Sequence, residues 1–159
     1  MNKNNGEIQF SNLNNDTSTL YTIDSEAEFL IKIINLLMDK KYEMLKSQNK
    51  YANIDFILIN KQNLRSVLIE HKKKSVSGAD VPTFFIGYNK LIALDVWYKP
   101  PIYLVFECID NIYWIEYDSS FLKRETKMVR GGKLVEINKT ECGVGLKNLI
   151  AELKAHLNM

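Results

Sequence analysis

Cysteine is nearly missing from this chain: Cys108 and Cys142 stand far apart in 159 residues. With only His71 and His156 beside them, no zinc-knuckle spacing can be assembled. Two distant thiols also make no disulfide framework, so reduced cysteines and an intracellular, cytoplasmic protein are expected. No run reaches the roughly 18 apolar residues of a membrane span. The opening MNKNNGEIQFSNLNNDTSTL has no apolar segment of the kind a secretory signal needs. A strong net charge is absent as well. Lys and Arg number 21 against 19 Asp and Glu, a balance of +2, so the molecule is no polycation. Any nucleic-acid surface must come from local clustering of basic side chains. Internal repeats are lacking, and the Asn-rich start is the only biased segment.

What remains is a composition ordinary for a globular protein, 46% hydrophobic and 25% charged, with length enough for one domain and a real core. Residues 1–22 read as a polar N-terminal arm, and 23–159 as a single domain. SEAEFLIKIINLLMDK opens with an N-cap serine and early glutamates, and Leu30, Ile33, Ile34 and Leu37 recur at helical spacing, which predicts a helix over 25–40. Strands are expected at 41–47, 54–60 and 65–71, the last two joined by the KQNL hairpin loop. SVSGADVP (75–82) reads as a loop, TFFI (83–86) as a brief strand, and 88–98 as a helix stopped by Pro100 and Pro101. IYLVFECI (102–109), the most apolar run, reads as a central strand, followed by a strand at 112–117. A Gly-Gly-centred hairpin lies near 123–139, with an outlying position expected for it, and an amphipathic helix over 145–157 closes the chain. Trp97 and Trp114 sit in apolar patterns and belong to the core. This order gives an α/β fold with a mixed central sheet of four or more strands flanked by helices.

Three charges stand where strand ends should be most buried. Asp55 opens one apolar run, and Glu70 and Lys72 close the next. Strand side chains alternate faces, so Glu70 and Lys72 share a side, and hairpin pairing can bring Asp55 beside Glu70. Two converging carboxylates repel unless a cation neutralises them. Mg²⁺ suits such oxygen ligands, and a neighbouring lysine can position a water and stabilise a charged transition state. The same charges also arise simply because strands leave the core at their ends, and Lys72–Lys74 can be a solvated basic run. His71 falls on the opposite face. In the first predicted helix, Glu28 shares the polar face with Lys32, whereas Glu26 shares the buried stripe with Leu30, Ile33 and Leu37. Glu26 is either a helix-dipole residue or a third carboxylate directed at the metal.

A helix glutamate, then Asp55, then Glu70-His71-Lys72, then a loop and helix, resembles the PD-(D/E)xK nuclease superfamily. SEAEFLIKIINLL resembles the opening helix of its Holliday-junction-resolvase branch. The likeness spans residues 25–117 in element order, with Ile54 where the motif's name has proline. It implies a restriction-endonuclease-like fold and a Mg²⁺-dependent endodeoxyribonuclease, with Mn²⁺ as a substitute. It also implies a metal set of Glu26, Asp55, Glu70 and the main-chain carbonyl of His71, and a catalytic set of Glu26, Asp55, Glu70 and Lys72.

The partner expected is DNA. Residues 121–139 hold Lys123, Arg124, Lys127, Arg130, Lys133 and Lys139 against Glu125 and Glu136, which is either a phosphate-binding hairpin or a solvated one. Lys73, Lys74 and Lys90 lie closer to the carboxylates. The DNA-binding set is therefore Lys73, Lys74, Lys90, Arg130 and Lys133. A homodimer is expected, since cutting two strands with one site per chain takes two chains; no membrane and no organic cofactor enter. The alternatives are a non-catalytic DNA-binding or assembly module on the same fold, or a plain α/β protein with a coincidental motif.

Overall fold

The computed structural model describes residues 10–12, 41–47, 54–96 and 100–159. The helix expected over 25–40, with Glu26 and Glu28, lies outside them, as do Trp97 and most of the polar arm. The strands are β1 (Phe10–Asn12), β2 (Tyr42–Ser47), β3 (Phe56–Asn60), β4 (Ser66–Lys73), β5 (Thr83–Gly87), β6 (Ile102–Glu107), β7 (Ile112–Glu116), β8 (Thr126–Val129), β9 (Gly132–Asn138) and β10 (Gly143–Val144). The helices are α1 (Tyr88–Leu94) and α2 (Leu146–Leu157).

A seven-stranded mixed sheet runs in the order β1-β2-β3-β4-β6-β7-β10. Its described pairs are antiparallel except β4 with β6, which run parallel. The fold is thus α/β with a mixed central sheet. Strands β3 and β4 form the expected hairpin around Lys61–Asn63, with Phe56 opposite Ile69. That loop also secures α2. The Asn60 and Asn63 side-chain amides each donate to the Leu157 carbonyl at 2.9 Å, supplying partners for a helix end that has none of its own.

Each face of the sheet has its own core. Val67, Ile69, Tyr103 and Val105 meet Leu149, Ile150, Leu153 and Leu157 of α2, whose spacing makes one helical stripe. Leu68, Leu104 and Phe106 point the other way, onto Leu91 and Leu94 of α1 and onto Phe84, Ile86, Val135 and Ile137. Strand β6 is buried along its whole length because both of its faces are covered.

TFFI forms the brief strand expected, but it lies outside the central sheet. As β5 it pairs with β9, and β9 with β8, in a separate three-stranded sheet. The glycine-centred hairpin is consequently not outlying: Val135 and Ile137 of β9 are fully buried against the central sheet. Helix α1 is shorter than 88–98, ending at Leu94. Cys108 and Cys142 are both free thiols.

Candidate active site

Strands β3 and β4 bring Asp55 and Glu70 together. One step beyond the Phe56–Ile69 pair places Asp55 opposite Glu70. The Asp55 main-chain N–H donates to the Ile69 carbonyl at 3.1 Å, and its carboxylate Oδ2 accepts the His71 N–H at 2.7 Å. Asp55 therefore closes the end of the ladder with its own side chain, which fixes the direction of its carboxylate.

Glu70 is only 2% exposed. Its Oε1 lies 3.0 Å from the Lys90 ammonium and 3.5 Å from that of Lys72. Its Oε2 is buried, with no hydrogen-bond partner among the described residues. Burial first, and then repulsion from Asp55, push the Glu70 carboxyl up from 4.5 to about 8, while Lys90 and Lys72 pull it down. Lys72 leaves the same face of β4 and is 42% exposed at its side chain.

His71 points to the other face, as strand alternation requires. Its Nε2 lies 3.0 Å from Glu107 Oε1, and burial holds its imidazole below the ordinary range despite that carboxylate. Glu107, itself buried at the end of β6, carries no signal in the sequence beyond being a charge inside an apolar run. Lys73 is exposed and sits in register with Glu107. The Lys74 N–H donates to the Glu107 carbonyl at 2.8 Å.

Lys90, expected at the DNA backbone, is turned inward to Glu70 by α1. In the hairpin, Arg130 is exposed at the tip. Lys133 extends over the Tyr88 ring, 5.8 Å from its centroid. Arg124 and Lys139 are engaged within the fold, Arg124 with Glu141 by two 2.8 Å bonds and Lys139 with the Gly78 carbonyl at 2.7 Å. Trp114 packs against the α2-side core.

Glu116, Glu152 and His156 offer ligand atoms within 4.8 Å of one another. They lie on the α2 side, with Glu116 exposed and the other two half-exposed, and are separate from Asp55 and Glu70. A shallow cleft beside His156, lined by Leu64, Arg65, Ser66, Pro100 and Pro101, opens at the start of β4 rather than at its charged end.

No family model matches the chain, and no curated protein does. Among solved structures it is similar to Hjc, a Holliday junction resolvase from the archaeal hyperthermophile Archaeoglobus fulgidus. The TM-score is 0.49 at 9% identity, covering 80% of this chain and 97% of that one. What the Asp55–Glu70 site does must be read from its own atoms.

Proposed function

We propose that the protein is a divalent-metal-dependent endonuclease of the PD-(D/E)xK kind, hydrolysing DNA phosphodiesters on a restriction-endonuclease-like fold. The observation that carries this reading is Glu70 Oε2, a buried carboxylate oxygen with no hydrogen-bond partner among the described residues, in a side chain that feels the repulsion of a second carboxylate, Asp55. Burying such a pair is costly unless a cation is shared between them. An all-oxygen donor set fits Mg²⁺ or Mn²⁺ better than a softer metal. Asp55 and Glu70 would hold the ion, joined by the His71 main-chain carbonyl and by Glu26, which lies outside the described residues. When bound, the ion would supply Lewis-acid polarisation of the scissile phosphate. Lys72, beside Glu70 and open to solvent, orients the attacking water and stabilises the charge that develops on the phosphate. Lys73, Lys74, Arg130 and Lys133 would contact the DNA backbone, and a homodimer would cut both strands.

The test is incubation of supercoiled plasmid with Mg²⁺, Mn²⁺ or excess EDTA, with Glu70→Gln alongside. Nicking with either ion and a loss of at least about 100-fold in the variant are expected. Undiminished cutting in EDTA would overturn the proposal. One observation favours a second reading: Lys72 and Lys90 both stand against Glu70 Oε1, offsetting part of its charge without a metal, as in a non-catalytic DNA-binding module. Under that reading, calorimetric titration with Mg²⁺ registers no binding.

A further inference from the structure

Two lysines reach Glu70, and they are not equivalent. Lys72 lies two residues along the same strand, is 42% exposed, and stands 3.5 Å away. Lys90 comes from α1, is 22% exposed, and stands 3.0 Å away, within hydrogen-bond distance. Both act on Oε1, whereas among the described residues Oε2 meets no lysine and accepts no hydrogen bond. A carboxyl group is free to rotate about its last bond, and only a fixed donor distinguishes its two oxygens. The fixed donor here is Lys90, because α1 is anchored by Leu91 and Leu94 in the core.

We propose that Lys90 is a positioning residue of the metal site: it holds Glu70 by Oε1 so that Oε2 is presented, already dehydrated, to the cation beside Asp55. This inference rests on the metal-dependent reading above. It assigns Lys90 to the carboxylate rather than to the DNA backbone and separates it from Lys72, whose work is at the water. Partners that orient a metal ligand typically contribute about 10- to 100-fold in metal affinity. A loose lysine that only adds charge works against cation binding, so removing it would raise affinity. The two roles therefore predict opposite signs.

The experiment is calorimetric titration with Mn²⁺ alone, without DNA, of the whole chain and of Lys90→Met, Lys90→Arg and Lys72→Met, with circular dichroism as the check on folding. Lys90→Met is expected to weaken Mn²⁺ binding by about 10-fold or more. Lys90→Arg, which keeps a charged donor at Oε1, is expected to recover most of that loss. Lys72→Met, whose contact is long and solvated, should bind Mn²⁺ no more weakly than the parent and at most about 3-fold more tightly. Lys90→Gln, a milder change that keeps a donor, is titrated as well and should fall between the parent and Lys90→Met; it decides the matter if the methionine variant does not fold. Unchanged or tighter binding in Lys90→Met, or in Lys90→Gln if it stands in, overturns the positioning role while leaving the metal site intact. Absence of Mn²⁺ binding by the parent chain overturns the metal reading itself, and this inference with it.

Discussion

Glu70 makes the stability of this protein depend on pH in an unusual direction. Its carboxyl is raised from 4.5 to about 8 by burial and by Asp55, against the pull of Lys90 and Lys72. Below about pH 4.5 both folded and unfolded chains hold the proton, and Glu70 imposes no penalty. As pH rises toward about 8 the unfolded chain releases its proton first, so stability is lost across that window, by an amount of order a few kcal/mol. Urea titrations in EDTA from pH 5 to pH 9 should show this fall. Glu70→Gln should flatten it, and a fall just as steep in the variant would place its origin elsewhere. Lys72→Met is expected to lose cleavage by about 100-fold or more while keeping its DNA affinity; single-turnover rates at saturating DNA, set beside binding curves, separate the two effects. Asp55, Glu70 and Lys72 were legible in the sequence because a two-residue strand period and one hairpin suffice to bring them together. The role of Lys90 was not legible. Its distance to Glu70 depends on how α1 packs on the sheet, which no local pattern encodes. The His71–Glu107 contact was hidden for the same reason, since it crosses a parallel pair.

Among the elements, the loop over 75–82 and strand β10 are held close by glycine. A Cβ on Gly78 would collide with the Tyr113 ring, and one on Gly143 with the Trp114 ring. Gly143→Ala should therefore lower stability by about 1–3 kcal/mol through overpacking, measurable as a drop in the denaturation midpoint. A midpoint equal to the parent's would mean that Trp114 moves aside freely. The hairpin of β8 and β9 makes a different prediction. Arg130 at its tip is exposed, so Arg130→Ala should reduce the salt dependence of DNA binding by about one phosphate contact. If the slope of affinity against salt is unchanged, the DNA follows another route. Helices and strands with clear periodicity, such as α2 and β6, were readable from the chain. The partner of β5 was not, because β5 and β9 both look like short amphipathic strands, and nothing near either one names the other.

At the scale of the whole molecule, the mixed sheet followed from the alternation of apolar runs with helices, whereas its division into two sheets did not. A sequence order of strands sets no sheet membership when a crossover is long. Between the parallel strands β4 and β6 the chain leaves the central sheet, forms β5 and α1, and returns. Strand β5 finds its ladder only in β9, about fifty residues further on, a large loop to close. The β3–β4 hairpin needs only its own short turn. On loop-closure grounds Asp55 and Glu70 are expected to meet before the platform beneath α1 is complete, with Lys90 arriving later. Under the metal-dependent reading, a divalent ion in the refolding buffer is then expected to raise the refolding rate, and an equal rate in EDTA would count against that order.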